Sequence, residues 1–175
     1  MLENKIKETI RDVIDFPKQG IIFKDITPIL ENTQLTAEIT DAFVEKSKNL
    51  KPDAILGIES RGFFWGILMA QKMGLPFIPV RKKGKLPYKT ISYKYDLEYG
   101  SAEIEMHEDA VNKGMNVLIH DDLLATGGTA VAAAELVKSQ GANVVGFSFL
   151  VNLTFLDGNK RLTPYSNKII SLVNY

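Results

Sequence analysis

Residues 117–129 read VLIHDDLLATGGT, an apolar run that ends on two aspartates and then on a Gly-Gly-Thr turn. The stretch Asn116–His120 predicts a strand covered on both faces, because Val117, Leu118 and Ile119 are consecutive and apolar. Thr129–Gln140 carries a helical pattern that stops at Gly141, a residue suited to the left-handed conformation that closes helices. A buried strand followed at once by a helix belongs in a sheet whose faces are covered by helices. The same unit recurs upstream. Ala54–Ile58 (AILGI) is another continuous apolar strand, Phe63–Met73 a helix closed by Gly74 and Pro76, and Phe77–Val80 a further strand. Asn143–Val151 and Ile169–Val173 add two more, the last as an edge strand. Strands alternating with helices of this length imply right-handed crossovers. The fold class is therefore α/β, an open, mainly parallel twisted sheet flanked by helices.

Two segments depart from that rhythm. Ile6, Ile10, Val13 and Ile14 recur at helical spacing and predict an N-terminal helix that ends before Pro17. Phe16–Leu30 mixes two prolines and a glycine with apolar residues and reads as an irregular, partly buried loop, followed by a helix over Thr33–Ser47. Further on, Ile91, Tyr93, Tyr95 and Leu97 alternate with period two, and Ala102, Ile104 and Met106 repeat the pattern after Gly100. An antiparallel flap over about 82–107 follows, entered through the basic run Arg81-Lys82-Lys83-Gly84-Lys85.

Composition narrows the function. A chain of 175 residues that is 45% hydrophobic suits one domain, spanning 1–175. Its 21 basic and 21 acidic residues cancel, which argues against a general nucleic-acid or membrane-surface binder. With no cysteine and two histidines, a disulfide scaffold, a cysteine nucleophile and a thiolate or histidine metal cage are set aside. MLENKIKETIRD lacks the apolar core of a signal peptide, and no run approaches the roughly 18 apolar residues of a membrane span. The expected location is the cytoplasm.

The loop after His120 carries the chemistry. A strand end that opens into a helix offers unpaired N–H groups and the positive end of the helix dipole, a receptive corner for a phosphate. Gly127 and Gly128 let the backbone approach the anion, and Thr126 and Thr129 add hydroxyl donors. Asp121 and Asp122 would repel phosphate; their fitting task is to accept hydrogen bonds from vicinal hydroxyls. A sugar diol bearing a 5′-phosphate satisfies both ends. A glycine-rich loop without a following lysine is not a Walker loop, and the G-x-G-x-x-G spacing of a dinucleotide site is absent. Gly57-Ile58-Glu59-Ser60-Arg61-Gly62 forms another strand-to-helix corner.

VLIHDDLLATGGT resembles the signature of the type I phosphoribosyltransferases, and its Leu123-Leu124-Ala125 core resembles the adenine enzymes in particular. FPKQGIIFKDITP, GIESRGFFWG and RKKGKLPYKT…YDLEYGSAEIEMH agree with that family in the same order along the chain. The resemblance implies the type I phosphoribosyltransferase fold with an N-terminal hood, about 1–32, and the flap. It implies conversion of adenine and phosphoribosyl pyrophosphate to AMP and diphosphate. Rival readings are a relative specific for another base such as xanthine, or a non-catalytic sensor of the nucleotide precursor.

Carried over residue by residue, the resemblance makes Ala125, Thr126, Gly127, Gly128 and Thr129 the 5′-phosphate cradle. Asp121, Asp122 and Tyr99 are the ribose contacts. Glu59, Ser60, Arg61, Arg81 and Lys85 face pyrophosphate, with a non-proline cis peptide expected at Glu59–Ser60, while Lys82 and Lys83 point away or reach a partner subunit. Ile22 and Lys24 meet adenine through their backbone, with Phe23 and Leu123 packing on or near the base. Glu98 is the general acid at the purine N7, and Arg61 neutralises the leaving group. Mg²⁺ is expected on the substrate, without a firm protein ligand, and a homodimer is the expected assembly. Two residues depart from the family pattern: Lys24 stands where some members have arginine, and His120 where an aliphatic residue is usual. His120 reads as structural or supporting.

Overall fold

The computed structural model describes residues 1–96 and 100–175. The N-terminal segment holds helix α1 (Leu2–Thr9), strands β1 (Arg11–Ile14) and β2 (Ile22–Asp25), and a single helical turn, α2 (Thr27–Leu30). Helical spacing extends the first helix to Ile14, but it stops at Thr9, where Ile10 turns extended at φ −62° and ψ 132°. Arg11–Ile14 pair antiparallel with Ile22–Asp25 instead. That partner lies outside any helical window, so periodicity does not register it. The stretch read as an irregular loop therefore contains β2 and α2. Pro28 falls in the first turn of α2, where a missing N–H leaves no bond unmade.

Helix α3 (Thr33–Ser47) starts at Asn32, whose side chain accepts a hydrogen bond from the Leu35 N–H at 3.0 Å. Strand β3 (Ala54–Ile58) then feeds α4 (Glu59–Met73) and β4 (Phe77–Lys82). The flap strands are β5 (Thr90–Asp96) and β6 (Ser101–His107). After them β7 (Asn116–Leu124), α5 (Gly128–Ser139) and β8 (Asn143–Asn152) form the next crossover. The short α6 (Gly158–Leu162) and β9 (Ile169–Asn174) close the chain.

The seven-stranded sheet has the order β5-β6-β4-β3-β7-β8-β9. Its strands run parallel from β4 to β9, and the β5–β6 hairpin adds antiparallel on β4. Strand alternation divides the core between two layers. Ala54, Leu56, Ile58, Val117 and Ile119 point toward α5, whose Ala130, Ala133 and Val137 share that cluster. Ile55 and Leu118 point the other way, into a cluster with Phe43 of α3 and Trp65 and Met69 of α4. Each such isoleucine, leucine or phenylalanine contributes about 1.5–3 kcal/mol by leaving water. Small side chains let α5 lie close on the sheet: Ala132, Ala133 and Ala134 are fully buried.

Candidate active site

Chains leaving β3 and β7 cross over in opposite directions, β3 toward β4 and β7 toward β8, although the two strands are neighbours. Their carboxyl ends thus open a crevice at the topological switch point of the sheet. A cavity of about 220 Å³ occupies it, with Glu59, Ser60 and Arg61 on one wall and Asp121, Asp122 and Thr129 on the other. Lys82, Tyr95 and Ile104 close the flap side. Glu59, Ser60 and Arg61 of the pyrophosphate set and Asp121 and Asp122 of the ribose set therefore share one cavity, whose walls do not include Arg81 or Lys85.

At the β3–α4 corner, Arg61 forms an ion pair with Asp122. Its guanidinium stacks 4.9 Å from the Phe23 ring centroid, and its Nε–H has no hydrogen-bond partner among the described residues. Such a fork is placed to receive an anion. Glu59 is turned elsewhere: its Oε1 accepts from the Lys82 backbone N–H at 2.6 Å and from Arg81 Nε at 3.3 Å. Burial opposes ionisation of Glu59, but those bonds and the Arg81 charge prevail and hold its carboxyl below the usual range. The Glu59–Ser60 bond is not cis, contrary to expectation; among the described residues the cis bond is Phe16–Pro17. The unusual backbone at this corner is instead Glu59 itself, in the left-handed region at φ 51°.

Lys82, expected to point away or to reach a partner subunit, lines the cavity. It shares strand parity with Ile78 and Val80, both in the α5-facing cluster. That alternation was available as a signal. Lys83 pairs with Glu103 at 2.7 Å. Lys85 gives its backbone N–H to Glu105 Oε1 at 3.0 Å, and its side chain is not among the cavity walls. Glu105 is buried and also accepts from the Leu86 N–H at 2.9 Å and the Thr90 hydroxyl at 3.2 Å, anchoring the base of the flap.

In β7, Asp121 Oδ1 accepts from the Asp122 backbone N–H at 2.8 Å. Burial of the Asp121 carboxyl, then the Asp122 charge beside it, pushes its pKa well above the ordinary value. The two neighbouring carboxyl groups offer acceptor oxygens at the strand end, where a hydroxyl pair could donate. The loop beyond turns at Gly127, φ 81°, straight into α5, whose first-turn N–H groups have no side-chain cap among the described residues. Thr129 Oγ1 lies 3.0 Å from the Tyr95 hydroxyl, a long-range contact that the period-two alternation of Ile91, Tyr93 and Tyr95 does not reveal. Leu123 is half-buried in the α3–α4 cluster. His120 is fully buried, its Nδ1 2.9 Å from Ser148 Oγ and its ring edge-on to Phe43 at 5.0 Å. Burial pushes its pKa down to about 3, so it is a neutral packing residue.

A larger cavity, about 1000 Å³, lies under the hood between Ile21, Ile22 and Lys24 and the loop residues Thr126, Gly128 and Thr129. Leu153, Phe155 and Leu156 give it an apolar side. Phe23 meets Phe16 edge-on at 5.1 Å besides carrying Arg61. The Lys24 ammonium is engaged by Asp12 at 2.6 Å and sits over the Tyr175 ring, 4.0 Å from its centroid. Arg161 of α6 also lines this space. Glu98 and Tyr99 lie outside the described residues.

The phosphoribosyl transferase domain family matches residues 25–173. An adenine phosphoribosyltransferase of Cytophaga hutchinsonii is 51% identical over 175 residues, covering 100% of this chain and 97% of that one. One from Thermotoga maritima is 48% identical over 170 residues, 97% of this chain and 98% of the other. The crystal structure of the Thermoanaerobacter pseudethanolicus adenine phosphoribosyltransferase superposes with a TM-score of 0.95 at 48% identity, covering 100% of each chain. The Saccharomyces cerevisiae enzyme, crystallised with an imino-altritol bisphosphate and adenine, gives 0.91 at 38% identity and 98% of each chain. Sequence, fold and crevice agree: the chain belongs to the phosphoribosyltransferase family, among the adenine phosphoribosyltransferases.

Proposed function

We propose that this chain joins adenine to phosphoribosyl pyrophosphate, forming AMP and diphosphate in purine salvage. The supporting observation is the crevice itself, where Arg61, the aspartate pair and Thr129 wall one cavity beside an apolar space under the hood. The 5′-phosphate sits on Ala125–Thr129, and Asp121 and Asp122 accept from the ribose hydroxyls. Arg61, with Lys82, Arg81 and Lys85 nearby in sequence or space, neutralises the pyrophosphate as the C1′–O bond lengthens. Ile22 and Lys24 present backbone groups to adenine, whose N9 forms the new bond to C1′. With adenine as its N7–H tautomer, Glu98 takes the N7 proton as the N9–C1′ bond forms and is the general acid that returns it in the reverse reaction, while Tyr99 covers the ribose. Positive charge building on the ribose ring is an oxocarbenium-like state, so positioning and electrostatics carry the rate and no nucleophile is required.

Mg²⁺ would come with phosphoribosyl pyrophosphate, where it would neutralise phosphate charge while keeping much of its water, as this ion favours. Among the described residues no group of three or more His, Cys, Asp or Glu is gathered to cage an ion. The working form is a cytoplasmic homodimer, as the family resemblance implies.

Turnover against adenine, hypoxanthine, guanine, xanthine and orotate tests the reading. Adenine is the expected substrate, and absence of adenine turnover overturns the proposal. Glu98→Gln tests the proton step: kcat should fall on the order of 10²-fold with KM roughly kept.

A further inference from the structure

The loop that cradles the 5′-phosphate, Ala125-Thr126-Gly127-Gly128-Thr129, contains no cationic side chain. Its ligand group is a dianion, and backbone N–H groups alone leave much of that charge unbalanced. A cation stands beside it, delivered from the far end of the chain. Helix α6 is anchored by Leu162, fully buried in the α5-facing cluster. Its first residue, Gly158, lies against the loop so closely that a Cβ there would sit 2.2 Å from the Ala125 carbonyl oxygen. A Cβ on Gly127 would in turn meet the Gly158 carbonyl oxygen at 2.9 Å. Two glycines thus let two backbones touch, which sets α6 in a fixed place relative to the cradle.

From that platform Arg161 reaches back. Its Nη1 donates to the Thr126 carbonyl oxygen at 3.4 Å and lies 3.6 Å from the position of a Cβ on Gly128. Among the described residues no salt bridge engages it, and it lines the same cavity as Thr126, Gly128 and Thr129. Lys24, another cation of that cavity, is committed to Asp12. One N–H on Thr126 leaves the remaining donors of the guanidinium fork for a second acceptor.

We propose that Arg161 is a phosphate-recognition residue, the side-chain cation of the 5′-phosphate site. The assignment rests on the reading of Ala125–Thr129 as that site. Arg161 then discriminates nucleotide from nucleoside and acts on affinity for the phosphorylated substrate, with little effect on the base.

Calorimetric affinities for AMP and adenosine, measured on the full chain and on Arg161→Ala and Arg161→Lys, test it. The unaltered protein should prefer AMP; equal affinities would overturn the reading of the loop itself. Arg161→Ala should weaken AMP about 10- to 100-fold while adenosine changes less than about twofold, and Arg161→Lys should recover part of the loss. In turnover, Arg161→Ala should raise KM for phosphoribosyl pyrophosphate and leave KM for adenine nearly unchanged. An AMP preference undiminished in Arg161→Ala, or a parallel loss of both ligands, overturns the role of Arg161 with the loop reading intact. Should Arg161→Ala fail to fold, Arg161→Gln, which keeps a donor to Thr126 without the charge, gives the same comparison.

Discussion

Arg61 and Asp122 form an ion pair that ties the β3–α4 corner to the end of β7, across the crevice where the sheet changes direction. The Asp122 side chain is 7% exposed and the Arg61 side chain 34%. Arg61 therefore has a face open to a ligand while it balances a carboxylate that is nearly enclosed.

Truncating Arg61 removes both functions. Arg61→Ala should lower kcat/KM for phosphoribosyl pyrophosphate on the order of 10²-fold or more, as for other lost charge-stabilising donors. It should also lower thermal stability, because Asp122 is left as an uncompensated buried charge. Arg61→Lys should restore much of the stability and little of the activity, since lysine lacks the planar fork. Steady-state kinetics beside a melting curve separates the two effects.

Asp121 contributes in the opposite sense. Its folded-state pKa is raised by burial and by Asp122, above the ordinary value of 3.8. A raised carboxylate favours the fold below its unfolded pKa, and that contribution is lost as pH rises through the folded value. Asp121→Asn keeps an acceptor for the Asp122 N–H and removes the charge. The variant should melt higher than the parent at pH 7, with the gain shrinking as pH approaches 3.8. Turnover should fall by about tenfold or more through the weaker acceptor for the ribose hydroxyls. A melting point that drops at pH 7 would contradict this account.

Glu105 anchors the flap base through the N–H groups of Lys85 and Leu86 and the Thr90 hydroxyl. Glu105→Ala strands those donors and should cost about 1–3 kcal/mol in denaturant unfolding. Burial raises the Glu105 pKa, but the hydrogen bonds from Leu86, Gly84, Thr90 and Lys85 outweigh it and hold the value below 4.5. For a lowered carboxylate, the stabilisation is present above the unfolded pKa and is lost as pH falls through the folded value. Glu105→Gln should therefore show a shallower loss of stability than the parent below pH 4.5. Equal acid slopes would remove Glu105 from that role.

His120 sets a second acid limit. With a folded pKa of about 3 against the ordinary 6.5, the neutral ring is what the core accepts. Stability is complete above pH 6.5 and falls below it, by up to about 1.4 kcal/mol per pH unit from this group. Replacing the bonded pair together, His120→Leu with Ser148→Ala, avoids leaving either polar group alone. The double variant should unfold with a flatter dependence between pH 6.5 and pH 4, as read from chemical denaturation at several pH values.

Much of this site was legible because its signals are local. The apolar strand, acidic pair and Gly-Gly-Thr turn of residues 117–129 state their geometry through neighbouring positions, and β7, Gly127 and α5 form accordingly. The period-two pattern around Ile91 and Ile104 likewise appears as the β5–β6 hairpin. Strand β1 was not legible: Ile10 and Val13 fit a helix by spacing, and only pairing with β2 makes residues 11–14 extended. In the basic run, charge composition could not tell Lys82 from Lys85. The carboxylates that take Arg81 and the Lys85 N–H, Glu59 and Glu105, come from other elements, α4 and β6.

By itself the sequence determined the α/β class, the order of the crossovers and the phosphate-receptive corner after β7, because strand and helix periods and glycine turns act over a few residues. Only the tertiary structure decided that Arg61 meets Asp122, that Tyr95 meets Thr129 and that Arg161 returns to Thr126. Those pairs join distant segments, and they exist because crossovers carry the chain back over the same sheet edge. Periodicity contains no term for that return; the packing of helices on a twisted sheet supplies it.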